Sequence, residues 1–169
     1  WRAGYVVDGA GRETDAEDEQ GSVFTRILAS GAPDDETHIV HRSRTCFAIV
    51  NIHPYTSGHL LVVPYREVAD LDGLTDDETI DLWSTVTDAV RVLRRVYRPD
   101  GLNVGLNLGR PAGGSIPGHL HVHVVPRWTG DSNFMSAIAN TQTIPEPLTD
   151  TASKVRSAWA ADTASGAVS

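Results

Sequence analysis

Hydrophobic and polar positions follow two periods along this chain. From Ser22 to Ser30 apolar residues recur at helical spacing, and Gly31 with Pro33 ends that segment. Three segments with the composition of β-strands follow, separated by turn-forming residues: His38 to Arg42, Thr45 to Asn51 and His59 to Tyr65. The pattern predicts a short helix and then an antiparallel meander.

The longest helical pattern begins at Asp76 and runs to about Tyr97. Thr75 and Glu78 stand where a hydroxyl and a carboxylate can each accept the other residue's backbone N–H, the arrangement called a capping box. Pro99-Asp100-Gly101 ends the helix. Apolar side chains three or four positions apart predict one buried face, made of Ile80, Trp83, Val86, Val90, Leu93 and Tyr97.

Two strands and a last helix complete the pattern. Leu102, Val104, Leu106 and Leu108 alternate with polar residues or glycine, as do the residues from His119 to Val125, and both segments predict strands with one buried face. Pro147 to Trp159 predicts a C-terminal helix. We expect an α+β fold, an antiparallel sheet of about five strands with helices on one face. Residues 22–160 would form the domain, between a polar arm (1–21) and a flexible tail (161–169).

Composition and charge narrow the classes of function. The 169 residues carry a formal net charge of -8, which disfavours non-specific binding to nucleic acid or to anionic membranes. A single cysteine, Cys46, excludes an internal disulfide and fits a reducing compartment such as the cytoplasm. No apolar run approaches the length of about 20 residues that spans a membrane, and residues 1–12 show no signal-peptide pattern.

The segment His119-Leu120-His121-Val122-His123-Val124-Val125 carries the candidate chemistry. Strand geometry would place all three imidazoles on one face. At about 3.3 Å per residue the outer two lie about 13 Å apart, too far to share one metal ion, so only an adjacent pair could chelate. A solvated strand face is the other alternative. We favour nucleophilic catalysis, in which a central imidazole attacks an electrophile and its neighbours stabilise the leaving group.

A glycine-rich segment before these histidines predicts an anion site. Bare N–H groups at Gly113, Gly114 and Ser115 can approach phosphate oxygens closely. Asn107 would add an amide donor and Ser115 a hydroxyl. Arg110 and Arg127 are candidate charge partners, although an ordinary surface role suits them equally.

The histidine motif resembles the signature of the histidine triad family, and the likeness extends from about Ser22 to Trp128 through Asn51 to Pro54 and Gly58 to Pro64. Family members with structural zinc carry Cys-x-x-Cys where this chain has Ser22-Val23-Phe24-Thr25, so the resemblance implies no zinc site here. We expect no metal and no cofactor.

Within the family, this chain resembles the diadenosine tetraphosphate phosphorylases of actinobacteria in three segments, Gly105 to Gly109, Ala112 to Ser115 and His119 to Phe134. Hydrolase branches usually place Gln at the position of Ser115. This resemblance implies His121 as nucleophile, with His59, His119 and His123 completing the cluster. It further implies that Asn51 faces the ribose. The residues implied to bind phosphate or the substrate chain are Asn107, Gly114, Ser115 and Trp128.

The expected reaction is phosphorolysis of diadenosine tetraphosphate to ADP and ATP through a nucleotidyl-His121 intermediate, with His123 protonating the leaving group. A hydrolase of dinucleoside polyphosphates or nucleoside phosphoramidates and a non-catalytic nucleotide sensor are the alternatives. The family resemblance implies a homodimer with joined sheets. Val23, Phe24, Ile27 and Ile49 would line an adenine pocket or form ordinary core.

Overall fold

A computed structural model describes residues 21–114, 116–131 and 146–166, with side chains of the last helix described up to residue 162. Its centre is one five-stranded sheet in the order β1-β2-β3-β5-β4, and every neighbouring pair is antiparallel. The strands are β1 (Ile39–Arg42), β2 (Cys46–Val50), β3 (Leu60–Pro64), β4 (Gly101–Leu106) and β5 (Val122–Arg127). The predicted α+β class and the meander of β1 to β3 are confirmed.

Helices lie on both faces of the sheet rather than on one. They are α1 (Val23–Ala29), α2 (Asp34–Thr37), α3 (Asp76–Tyr97) and α4 (Leu148–Gly166), with short 3-10 turns at Leu71–Gly73 and Arg110–Ala112. Helices α3 and α4 pack on one face and α1 on the other. Every residue of β2 and β3 is therefore buried. In the described part of the chain, no helix is long and apolar enough to cross a membrane.

Helix α3 has the predicted bounds and the predicted capping box, but its buried face differs from the prediction. Ile80 is 67% exposed and Trp83 is 40% exposed. Two apolar stripes overlap on this helix, and the stripe that contains the small Ala89 packs closely against the sheet. The buried residues of α3 are Leu82, Thr85, Val86, Ala89, Val92 and Leu93.

Both strands around the glycine-rich segment are shorter at one end than predicted. Strand β5 begins at Val122, which pairs with Val62, rather than at His119. Continued pairing would bring Leu120 opposite Pro64, which has no N–H to donate. The Leu120 N–H donates instead to the Val68 carbonyl at 2.6 Å. Strand β4 ends at Leu106 and forms an edge of the sheet.

Candidate active site

Four histidines converge on the face of the sheet that α1 covers. His59 directly precedes β3 and His123 lies in β5, opposite Leu61 of β3. His119 and His121 lie in the extended segment before β5, where alternation continues although strand pairing does not. The ring centroids of His121 and His123 are 5.0 Å apart, and those of His59 and His123 are 5.1 Å apart. The structure therefore brings together all four histidines that the sequence predicts.

A backbone carbonyl fixes the tautomer of His121. The Nδ1 atom lies 2.8 Å from the carbonyl oxygen of His119. A carbonyl only accepts hydrogen bonds, so Nδ1 must carry the proton and Nε2 must carry the lone pair of the neutral ring. Neutral His121 can therefore offer the Nε2 lone pair to an electrophile without a general base.

A second backbone group fixes the tautomers of His59 and His123. The Tyr55 N–H donates to Nδ1 of His59 at 3.1 Å, so the proton of neutral His59 sits on Nε2. That Nε2–H donates to Nδ1 of His123 at 2.9 Å. The proton of His123 consequently sits on its own Nε2, which is buried and has no hydrogen-bond partner among the described residues. His123 is therefore a hydrogen-bond donor with its donor unused.

Burial keeps the four imidazoles neutral. Desolvation, followed by repulsion from His123 and His121, lowers the pKa of His59 to about 3. Desolvation, followed by repulsion from His121, lowers the pKa of His123 to about 4. The pKa values of His119 and His121 are also lowered, mainly by desolvation, and their hydrogen bonds to backbone carbonyls oppose the shift. The tautomers above are those of uncharged rings.

His119 is held by the N-cap residue of α1 and by the last residue of β3. Its Nε2–H donates to the Pro64 carbonyl at 2.9 Å, so its Nδ1 accepts, and the Ser22 hydroxyl donates to that atom at 2.6 Å. The N–H of Ser22 and the hydroxyl of Thr25 donate to Glu67 at 2.9 and 2.8 Å. The side chains of Ser22, Thr25, Glu67 and His119 are already joined by these hydrogen bonds, and none of them is a thiolate. They therefore do not suit structural zinc. No group of three or more metal-ligating side chains occurs in the described segments.

The glycine-rich segment folds back on the end of β4. Gly113 has φ of 95°, in the left-handed region that glycine adopts readily. A Cβ at Gly114 would lie 3.2 Å from the Gly109 carbonyl oxygen and 3.5 Å from that of Asn107, so a side chain there would force the Gly109 backbone to shift. Asn107 directly follows β4. Ser115 lies outside the described residues.

Three other predicted residues, Arg127, Trp128 and Arg110, lie outside the histidine cluster and contact other parts of the protein or solvent. Arg127 forms a bidentate ion pair with Asp131 at 2.6 and 2.7 Å and also donates to Asn103 at 2.8 Å. The indole of Trp128 packs edge-on against Tyr97, with ring centroids 6.4 Å apart. Arg110 is an exposed residue of the 3-10 turn. The structure thus does not place the guanidinium of Arg127 within the histidine cluster.

The nucleoside-binding candidates border the same cluster. The Asn51 side-chain nitrogen lies 3.4 Å from Nδ1 of His59, and its Oδ1 accepts the His53 N–H at 3.0 Å. Phe24 is buried and approaches His119 and His121 with ring centroids 5.3 and 5.5 Å apart. Phe24 belongs to the core cluster under α1, in which Ile49 is also buried. The side chains of Val23 and Ile27 pack against this cluster.

Three residues of the site escape sequence reasoning. Tyr55 acts through its backbone N–H, which every residue except proline has, so its identity gives no indication of this role. Ser22 is recognisable as the N-cap of α1, but nothing in the sequence shows that its hydroxyl reaches His119, 97 positions away. The same holds for Glu67, which contacts α1 across the fold.

The protein has an α+β fold whose antiparallel sheet carries a buried cluster of neutral histidines. This combination places it in the histidine triad class. The chain matches the HIT domain model over residues 32–130 and belongs to that family.

Its relatives include the AP-4-A phosphorylase of Mycobacterium tuberculosis, 50% identical over 127 residues, which are 75% of this chain and 65% of that protein. The asymmetrical bis(5'-nucleosyl)-tetraphosphatase of Schizosaccharomyces pombe is 36% identical over 56% of this chain and 52% of its own length. This chain thus spans less than two thirds of each curated relative.

Among solved structures, a zinc-bound histidine triad family protein from Mycobacterium smegmatis is similar, with a TM-score of 0.69 and 25% identity over 85% of this chain and 96% of that chain.

Proposed function

We propose that this protein is a nucleotidyltransferase that cleaves diadenosine tetraphosphate with inorganic phosphate, giving ADP and ATP. The observation that carries the proposal is the Nε2 lone pair of His121, fixed by the bond from Nδ1 to the His119 carbonyl. The 50% identity to an AP-4-A phosphorylase supports the choice of substrate and acceptor.

In the first step Nε2 of His121 attacks the α-phosphorus of one adenosine. A nitrogen–phosphorus bond forms while the bond from phosphorus to the bridging oxygen breaks, and its electron pair leaves with ATP. The modified ring carries a positive charge, which the His119 carbonyl stabilises through Nδ1–H. The free Nε2–H of His123 would donate to the bridging oxygen as charge develops.

His123 needs only to donate a hydrogen bond in this step. ATP leaves as a phosphate anion that is stable near neutral pH, so full proton transfer is not required. A neutral His123, with its pKa of about 4, serves that purpose. The proton transfer that the sequence suggested is therefore replaced in our proposal by a hydrogen bond.

In the second step inorganic phosphate attacks the nucleotidyl-His121, and the electron pair of the nitrogen–phosphorus bond returns to Nε2. Gly114 and Asn107 would hold the incoming phosphate, together with the Ser115 hydroxyl. The close approach of backbone at Gly114 supports this part, because it leaves N–H groups unshielded by a side chain. Phosphate thus regenerates the free imidazole and releases ADP.

Hydrolysis is the second candidate, since the Schizosaccharomyces pombe relative is a tetraphosphatase. Water would then replace phosphate in the second step and AMP would replace ADP. The test is product analysis with ³²P-labelled phosphate: we expect the label in the β-phosphate of ADP and no AMP. Unlabelled AMP would establish the hydrolase, and an unconsumed nucleotide would leave only a binding protein. Mass spectrometry of quenched enzyme should find the adduct on His121.

We propose that the active protein is a homodimer joined through β4. This strand is an edge of the sheet, and Val104 at its middle is 43% exposed. An edge strand offers unpaired backbone groups to a second copy. Light scattering after size exclusion would measure the mass, and a monomer at micromolar concentration would contradict the proposal.

A further inference from the structure

The network around Ser22 connects α1 to the nucleophile but contains no group that reacts. Glu67 accepts from Ser22 N–H and from Thr25 Oγ1–H, and the Ser22 hydroxyl donates to Nδ1 of His119. On the other side of the ring, Nε2–H of His119 donates to the Pro64 carbonyl. The His119 ring is therefore hydrogen-bonded at both nitrogens, and it is fully buried.

We propose that Ser22 and Glu67 are positioning residues, whose hydrogen bonds fix His119 so that its carbonyl orients the His121 nucleophile. This inference rests on the proposed function for its catalytic part. The chain of contacts is continuous: Glu67 to Ser22, Ser22 to the His119 ring, and the His119 carbonyl to Nδ1 of His121 at 2.8 Å.

The local packing favours a fixed arrangement. Gly21 has φ of 76°, which glycine adopts readily, and a Cβ there would lie 3.1 Å from Glu67 Oε2, so a side chain would crowd the carboxylate at the start of α1. The Ser22 N–H holds the pKa of Glu67 below its ordinary value, which keeps an anionic acceptor at this helix N-terminus. The adjacent Val68 carbonyl also accepts the N–H of Leu120. Segment 64–68 therefore holds both residues that precede the nucleophile.

The first test follows the tautomer of His119 without substrate. Two-bond ¹H–¹⁵N correlation spectra of labelled protein distinguish a ring protonated at Nε2 from one protonated at Nδ1. In the wild-type protein we expect His119 to be protonated at Nε2. In Ser22→Ala the Nδ1 atom loses its donor while the Nε2–H keeps its bond to the Pro64 carbonyl, so we expect the Nδ1 ¹⁵N resonance to shift and the ring to stay protonated at Nε2. An unchanged His119 spectrum in the variant would overturn the inference.

The second test measures kcat and KM for diadenosine tetraphosphate with saturating phosphate. Ser22→Ala should lower kcat about tenfold, since a displaced reacting group costs up to about a hundredfold, with little change in KM. Ser22→Thr retains a hydroxyl and should restore most of kcat. Glu67 is exposed, so Glu67→Ala should fold, and its effect should be less than additive with that of Ser22→Ala because both act through one network.

Thr75→Ala is the matched control. Thr75 is the N-cap of α3 as Ser22 is of α1, so this variant loses a cap of the same kind away from the histidines. Its kcat should stay within about twofold of wild type, because a lost cap lowers the stability of α3 and removes no contact to the histidines. Equal losses in the two cap variants, or full additivity with Glu67→Ala, would overturn the inference. A wild-type protein that leaves the dinucleotide intact would refute the proposed function, and the His119 spectra would then decide the network alone.

Discussion

Mild acid should destabilise the folded protein through two buried histidines. In the folded state the pKa of His59 is about 3 and that of His123 about 4, mainly because burial disfavours the charged ring. An unfolded histidine has a pKa of about 6.5. Both folded values lie below the unfolded value, so the unfolded state binds more protons as the pH falls. The stability these groups contribute is complete above about pH 6.5 and is lost below it.

The size of the effect follows from the two shifts. Each group changes the free energy of unfolding by about 1.4 kcal/mol per pH unit while the pH lies between its folded and unfolded pKa values. Between pH 8 and pH 5 this amounts to about 2 kcal/mol for each of His59 and His123, or about 4 kcal/mol together. A domain of this size is stable by about 5–15 kcal/mol, so the loss is a large fraction of the total.

Urea unfolding at pH 8, 6 and 5, followed by circular dichroism, measures this loss. The variant His59→Gln/His123→Gln removes both titrating rings and should lose about 4 kcal/mol less than wild type over this range. His53→Gln, which removes an exposed histidine, is the control and should follow wild type. Carboxylates contribute equally to all three proteins. If the double variant lost as much stability as wild type, the burial argument for neutral imidazoles would be wrong.

Three further predictions concern the surroundings of the cluster. Gly114→Ala should raise the KM for phosphate at least about tenfold in steady-state assays, because a Cβ would lie 3.2 Å from the Gly109 carbonyl oxygen and the segment would have to move. The control Gly101→Ala has open space around the added Cβ and should leave this KM unchanged. Val104→Lys should shift light-scattering mass from dimer to monomer, since it adds charge to an apolar edge. Arg127→Gln should change kcat less than about threefold, because it removes a partly exposed ion pair with Asp131 that contributes about 0–1 kcal/mol to stability; a much larger loss would support the role in phosphate binding that the sequence suggested.

The sequence predicts the sheet and the long helix because their patterns are local. The capping box at Thr75 and the strand composition of β2 and β3 require only neighbouring residues, and both predictions are confirmed. The buried face of α3 is predicted incorrectly because two apolar stripes overlap on one helix. Only the sheet decides between them, and it selects the stripe that contains Ala89 over the one that contains Ile80.

The candidate site is predictable where chemistry resides in side chains and not where it resides in the backbone. His59 could be joined to the triad through the family resemblance, and the structure places it 2.9 Å from His123. The proton positions depend on the Tyr55 N–H and the His119 carbonyl, which are set by tertiary structure. A role for Arg127 in anion binding stays a prediction, and its ion pair with Asp131 is a contact that a basic residue near a glycine-rich segment does not reveal.

The use of backbone groups to fix the tautomers has a functional consequence. A carboxylate beside His121 would orient the ring but would also raise its pKa and favour the protonated form, which has no lone pair at Nε2. The His119 carbonyl orients the ring without a formal charge, and although its hydrogen bond raises the pKa of His121, the larger effect of burial lowers it. Tyr55 N–H does the same for the pair of His59 and His123. Neither backbone group titrates, so the direction of every hydrogen bond in the cluster persists as long as the imidazoles remain neutral. The proposed nucleophile and the proposed donor are therefore both oriented within a cluster built from four copies of one side chain.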